Sequence, residues 1–318
     1  MASEITERPQ PGQKTALITG AGVGGIGGAL AMELHRQGYF VFCAVRRPDS
    51  IAELLRPGIV VVKLEVTETT SVEAAAAQVA AVTGGTLDVL VNNAGVVKHR
   101  PALDSDIDGD VRHVFDVNVL GPMRVVKAFG KQLIAAKGCI VNIGSIAPIV
   151  PLAFSTSYNA TKAAIHAYGD TLSMEMKPFG VDVVTVITGG VKSNIVRGNP
   201  SLPTDSLYMA IEKFWRHRTQ MSNGDDSMPT DVYARTVVRM IDSKKRPLRF
   251  WAGAKSSLAW ILYHFVPLRL RLYMMAKRFG LLTLVLKISF LQLLILGSVV
   301  TIVKNNACLA YNRSITDA

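Results

Sequence analysis

The sequence predicts an α/β protein with a doubly wound parallel sheet, on three observations. Short β-branched runs alternate with longer helical patterns over the first two-thirds of the chain. A glycine-rich turn links the first run to the first helix, and an apolar, basic segment closes the chain. At 318 residues there is room for one large α/β domain with an appendage, or for two modest domains.

Taken in order, residues 1–13 are polar, carry two prolines and lack the apolar stretch of a secretory signal, so they read as a flexible tail. The domain starts at about Lys14. Strands are expected at Ala16–Thr19, Phe40–Val45, Val60–Leu64, Val89–Val91, Gly138–Ile143 and Val183–Ile187. Helices fall between them, for example at Ala29–Gln37, Ser71–Val82 and Tyr158–Met176. This alternation implies βαβ units, a sheet covered on both faces, and a ligand at the carboxyl ends of the strands. The α/β domain is expected over 14–250 and a membrane-associated segment over 251–318.

The net charge of +11 is concentrated late in the chain. Lys244, Lys245, Arg246, Arg249, Lys255, Arg269, Arg271, Lys277 and Arg278 follow Asp242 without an acidic residue, interleaved with Trp251, Trp260, Tyr263 and Phe265. Such mixing suits a membrane surface rather than nucleic acid. Leu281–Val303 carries one charge, Lys287, and no proline; as a helix it reaches roughly 34 Å, enough for a hydrocarbon core of about 30 Å. It either spans a bilayer or forms a buried or surface-lying amphipathic helix. Basic residues are denser before it than after, so a spanning helix leaves the α/β domain in the cytosol. The sequon at Asn312 sits too near the terminus for glycosylation. Cys43, Cys139 and Cys308 are odd in number and far apart, which fits a reducing compartment, and no metal-ligand cluster is visible.

After the first strand comes Thr19-Gly20-Ala21-Gly22-Val23-Gly24-Gly25-Ile26-Gly27, opening directly into a helix. Glycines there permit a sharp turn and close approach to a pyrophosphate, which the helix N-terminus attracts. Gly20, Gly25, Ile26 and Gly27 are the candidate contacts. The second strand ends in Arg46-Arg47, where an acidic residue would select NAD; arginines favour the 2'-phosphate of NADPH.

Tyr158 and Lys162, four residues apart, share one face of a helix, so the ammonium can stabilise a phenolate. Each unit by which that phenol is lowered needs about 1.4 kcal/mol of differential stabilisation. The phenol then serves as general acid or base, while the Ser145 hydroxyl, thirteen residues earlier, orients and polarises a substrate oxygen. His166 is read as a packing residue rather than a second acid, and Met174 and Met176 as core.

Gly20, Gly25 and Gly27, Asn92-Asn93-Ala94-Gly95, Asn118 within Val117-Asn118-Val119, Ser145, Tyr158 and Lys162 together resemble the short-chain dehydrogenase/reductase family over about Lys14 to Asp242. The resemblance implies a Rossmann-type fold and hydride transfer between a nicotinamide and a carbonyl or alcohol carbon. It assigns Asn118, Ser145, Tyr158 and Lys162 to the catalytic tetrad, with Asn118 holding a water that links Lys162 to a proton relay. It adds Glu65, Asn92, Ala94, Gly95, Gly190, Val191 and Ser193 to the cofactor contacts, and a substrate lid over 190–230. The sequence departs from the family pattern in a glycine loop one residue longer, in Glu65-Val66 for Asp-Val, and in Thr188-Gly189-Gly190 for proline-glycine. Family members are often homo-oligomers.

Tyr158 to Tyr168, Met174 to Val181, Ile187 to Val191 and Met228 to Ala234 look like one branch, the NADPH-dependent 1-acyldihydroxyacetone-phosphate reductases. That likeness implies reduction of acyl-dihydroxyacetone phosphate to 1-acylglycerol 3-phosphate, at the endoplasmic reticulum or lipid droplet. Pro200, Leu202, Pro203, Leu207, Tyr208, Phe214 and Trp215 give the lid an apolar content suited to a small lipophilic substrate, with Lys192 and Arg197 nearest for a phosphate. Two alternatives stand beside this reading: a reductase tailoring a secondary metabolite or sterol-like ketone, and a non-catalytic NADPH-binding membrane scaffold.

Overall fold

The structure, a computed structural model, describes residues 5–195, 200–221 and 224–285. Among the described residues seven strands form one wholly parallel sheet: β1 (Thr15–Thr19), β2 (Phe40–Val45), β3 (Ile59–Lys63), β4 (Val89–Asn92), β5 (Cys139–Ile143), β6 (Asp182–Thr188) and β7 (Arg249–Ala252). Their order is β3-β2-β1-β4-β5-β6-β7, so the winding reverses between β1 and β4. Such a reversal opens a crevice at the carboxyl edge, where ligands of doubly wound sheets sit. The helices are α1 (Ile26–Arg36), α2 (Thr69–Thr83), α3 (Arg112–Phe115), α4 (Gly121–Ala136), α5 (Thr156–Met176), α6 (Glu212–Gln220), α7 (Thr230–Ile241), α8 (Ser256–Phe265) and α9 (Leu268–Arg278).

The strands are apolar throughout because both faces of the sheet are covered. Successive side chains point to opposite sides, so β1 sends Ile18 toward one layer and Leu17 toward the other. Ile18, Val41, Val91 and Val141 pack with Leu30 and Leu34 of α1 and with Tyr233 and Val237 of α7. Leu17, Phe42, Leu90 and Ile140 pack with Val79 of α2, Phe129 and Leu133 of α4 and Leu172 of α5. Burying each of these large side chains contributes about 1.5–3 kcal/mol. The expected strands agree with β1 to β6 within a residue or so at each end. β7 was not expected: it crosses position 250, and its Arg249-Phe250-Trp251 stretch pairs in register with Thr185-Val186-Ile187 of β6.

Residues 5–13 lie against the domain rather than apart from it. Glu7 accepts from the Gly58 amide at 2.9 Å, and Arg8 donates to the Ala81 carbonyl at 3.1 Å. The later helices are also built into the fold. Phe279, just past α9, is fully buried with Phe154, Ile211 and Trp215, and Ala259 of α8 packs on Ile187 of β6. Among the described residues no helix is long and apolar enough to cross a membrane, and residues 286–303 of the expected apolar helix lie outside them.

Candidate active site

The loops that follow β1, β2, β4, β5 and β6 converge on a cleft of about 1000 Å³ along the carboxyl edge. Its floor is the glycine loop. Gly20 has φ +68°, and a Cβ there would lie 2.9 Å from Ala94 Cα; a Cβ on Gly27 would strike the Gly20 carbonyl oxygen. Only glycine lets these loops touch. Thr19 and Asn93 lace them together: Thr19 Oγ1 accepts from the amides of Asn93 and Ala94, each at 3.0 Å, and Asn93 Nδ2 donates to the carbonyls of Thr19 and Gly20 at 2.9 and 3.0 Å. α1 begins here with no acidic residue in its first turn, so its positive end faces the cleft uncompensated.

Of the residues expected at the cofactor, Gly20, Gly25, Ile26, Gly27, Arg46, Glu65, Ala94, Gly95, Gly190, Val191 and Ser193 line the cleft. Asn92 does not. Its side chain is buried and donates to Asn142 Oδ1 at 2.9 Å, so it ties β4 to β5 while its neighbour Asn93 faces the ligand space. Glu65 and Arg46 form an ion pair at 3.5 Å, so the acidic and basic groups at the adenine end act on each other. At the other end Gly190 pairs with Ala254 and Lys192 with Met228, and no hydrogen bond among the described residues takes the Val191 amide. A glycine cradle, an open helix N-terminus, two exposed arginines past β2 and a free amide past β6 suit a dinucleotide bearing a 2'-phosphate.

Tyr158 and Lys162 enter from the first turns of α5, and Ser145 from the loop after β5. Lys162 Nζ lies 5.8 Å from the Tyr158 ring centre and donates to the Ile143 carbonyl at 2.7 Å. Burial lowers the lysine to about 8. The expected lowering of Tyr158 by Lys162 is not found. Burial raises the phenol above its ordinary range, and the groups that pull it back are the Ser145 hydroxyl and the charge of Arg218. Asn118 is buried behind the cleft within a π-helical turn (Asp116–Leu120), a distortion common at functional sites. Its Oδ1 accepts from the Val96 amide at 2.8 Å, and its Nδ2 donates to the Val96 carbonyl at 2.9 Å and to Thr161 Oγ1 at 3.1 Å. It therefore fastens the loop after β4 to α5. His166 packs in the interior and also makes a specific contact. Its Nε2 accepts from the Ser145 amide at 3.3 Å, and burial keeps the imidazole neutral by lowering it to about 4.

The lid differs most from expectation. Leu202, Tyr208, Phe214 and Trp215 turn away from the cleft into a cluster with Phe154 and Phe279, because the apolar face of α6 packs on the chain's own later helices. From α6 and the turn after it, the cleft receives Arg218 and Met221 instead. Lys192 is exposed and off the cleft, and Arg197 lies outside the described residues. Sequence reasoning missed Arg218 and also His99, whose Nδ1 is 2.7 Å from Ser155 Oγ and whose carbonyl accepts from Trp215 Nε1 at 3.0 Å. The only sequence signal was the helical spacing of Trp215 and Arg218, three apart and so on one face.

A family model described as short chain dehydrogenase matches residues 14–201. A short-chain dehydrogenase of Pyricularia oryzae is 44% identical over 260 residues, covering 80% of this chain and 90% of that protein. An NADPH-dependent 1-acyldihydroxyacetone phosphate reductase of Schizosaccharomyces pombe is 38% identical over 259 residues, covering 77% of this chain and 87% of that one. Among solved structures, a short-chain dehydrogenase from Streptomyces avermitilis superposes with TM-score 0.71 at 27% identity, covering 83% of this chain and 96% of that chain.

Proposed function

The chain belongs to the short-chain dehydrogenase/reductase family and is an NADP-dependent oxidoreductase, and from that premise we propose that it reduces the ketone of a lipophilic substrate, with 1-acyl-dihydroxyacetone phosphate as the substrate to try first. The observation that carries this reading is the meeting of Tyr158, Ser145 and Lys162 in one cleft beside the glycine cradle. NADPH, when bound, supplies the hydride that the carbonyl carbon gains. The Tyr158 phenol gives its proton to the carbonyl oxygen, and the Ser145 hydroxyl donates a hydrogen bond to the same oxygen as negative charge develops there. The Lys162 ammonium, held by the Ile143 carbonyl, keeps a positive charge 5.8 Å from the Tyr158 ring, and the Ser145 hydroxyl and the Arg218 charge favour the phenolate that remains. Asn118 keeps the loop after β4 and α5 in register, so that these groups stay within reach of one atom. Ile146, Leu152, Ile195, Pro200 and Met221 supply the apolar lining for an acyl chain, and the Schizosaccharomyces relative supports the choice of substrate.

The same reading has the enzyme working at a membrane surface, with the catalytic cleft in the cytosol. Trp260, Phe265, Leu268, Leu272 and Tyr273 are exposed on α8, α9 and the turn between them, beside the exposed cations Arg269, Lys277 and Arg278. Exposed apolar and basic groups interleaved on neighbouring helices suit an anionic lipid surface, where acylated substrates reside.

The test is NADPH oxidation by the purified full chain with 1-palmitoyl-dihydroxyacetone phosphate in detergent, with NADH and Tyr158→Phe as controls. Turnover with NADPH that vanishes in Tyr158→Phe is expected. No turnover while NADPH still binds would remove this substrate and leave a reductase for another ketone, such as a secondary-metabolite or sterol-like one.

A further inference from the structure

Arg218 projects from α6 into the cleft with 6% of its surface exposed, yet no hydrogen bond or ion pair joins its guanidinium to any described residue. A charge taken out of water without a partner costs several kcal/mol, so buried arginines are ordinarily found with a carboxylate. Here the carboxylates that line the cleft are engaged elsewhere: Glu65 with Arg46, Asp110 with Lys98 at 2.9 Å, and Asp226 with Lys255 at 2.9 Å. His99, the other buried ring near Arg218, is neutral, lowered to about 3 by burial and by the Arg218 charge itself. The guanidinium stays protonated although burial lowers it to about 10. Trp215, one turn earlier, is fully buried and donates to the His99 carbonyl, so α6 cannot easily swing the arginine into solvent. The chain therefore holds a desolvated, positioned cation, without a partner among the described residues, against the same cleft as Tyr158.

We propose that Arg218 is the substrate-recognition residue of this enzyme, binding an oxyanion, phosphate or carboxylate, that lies a few bonds from the ketone being reduced. The assignment rests on the ketoreductase reading above and narrows it: an acyl chain alone does not make a substrate, and the anion must stand near the carbonyl. A guanidinium fork grips two oxygens at once, which fixes the carbonyl against Tyr158 as well as holding the substrate. Arg218 is thus the partner that the acidic group of the substrate completes, and a neutral ketone leaves it unpaired.

The experiment has a turnover arm and a binding arm, both on the full chain. In the first, wild type, Arg218→Met and Arg218→Lys are assayed with NADPH on 1-palmitoyl-dihydroxyacetone phosphate, on a 3-oxo fatty acid, and on uncharged 1-palmitoyl-dihydroxyacetone. Wild type is expected to favour one or both anionic ketones by about a hundredfold in kcat/KM; Arg218→Met loses that preference, whatever its rate on the uncharged ketone, and Arg218→Lys recovers part of it. The phosphate and carboxylate substrates tell the two anion sources apart. In the second arm, decyl phosphate, decanoate and decanol are titrated into NADP-loaded protein and followed by tryptophan fluorescence. Tighter binding of either anion than of decanol, abolished in Arg218→Met while melting temperature holds, supports the assignment even when no ketone tried is turned over. Equal binding of anions and alcohol by wild type, or an unchanged preference in Arg218→Met, overturns it even if ketoreductase activity is found.

Discussion

The amide of Ser145 donates to Nε2 of His166, two turns along α5 from Tyr158, so the serine and the tyrosine are held by the same helix. A Cβ on Gly144 would strike the His166 ring, which shows how closely strand end and helix are fitted. His166→Leu is therefore expected to lower kcat about tenfold, the worth of one buried hydrogen bond, with little change in NADPH affinity. His166→Gln, which can still accept that bond, should recover most of the rate. Equal losses in the two variants would show that ring volume, not the hydrogen bond, is what matters.

Acid should weaken the fold through the same ring and through His99. Both are held neutral, at about 4 and about 3, well below the ordinary imidazole value of 6.5. Above pH 6.5 neither folded nor unfolded chain protonates them, and this stability is fully present. As pH falls below 6.5 the unfolded chain takes up protons that the folded one refuses, and roughly 3 to 5 kcal/mol per ring is lost by the time the folded values are reached. Melting temperature measured from pH 7 to 4.5 should fall steadily. A His99→Asn, His166→Gln double variant should give a shallower slope, and an unchanged slope would remove these rings as the cause.

Alkali should act on catalysis through Lys162. Its ammonium is lost near pH 8 rather than in the usual lysine range, while burial keeps the Tyr158 phenol protonated. Reduction should therefore hold level to about pH 7.5 and decline above 8. Stability moves the other way: between about 8 and 10.5 the unfolded chain keeps a proton that the folded lysine has released, so stability rises. A pH–rate profile flat to pH 10 would refute a part for this charge.

Arg46 stands exposed at the adenine end of the cleft, paired only loosely with Glu65. Arg46→Ala should raise the KM for NADPH about tenfold and leave that for NADH nearly unchanged, since only the phosphorylated ribose meets the guanidinium. Parallel rises for both cofactors would assign Arg46 to holding the loop instead.

What could be read from the sequence was what depends on neighbours along the chain. The strands announced themselves because burial on both faces demands unbroken apolar runs, and the glycine loop because Gly20 must adopt positive φ where β1 touches the loop after β4. Tyr158 and Lys162 were visible through helical spacing alone. Arg218 and His99 were not, since 119 residues separate them and only the turn of the chain past α6 brings both to the cleft. The choice between Asn92 and Asn93 depended on which face of β4 each side chain leaves, which the repeated asparagine conceals. β7 was hidden because its arginine and aromatics matched the basic, aromatic pattern of the segment that follows.

Phe279 carries a practical consequence. Its ring is fully buried at the end of α9, 6.1 Å from Phe154 and in the same cluster as Trp215. A chain shortened after β7 would thus lose the ring that packs beside Trp215 of α6, the helix that carries Arg218 into the cleft. Such a fragment should still take up NADPH, whose cradle is built from the loops after β1 and β4, yet handle its ketone poorly. The helices that carry the exposed apolar residues Trp260, Phe265 and Leu268 also brace the substrate side of the cleft, and trimming them means redesigning that side.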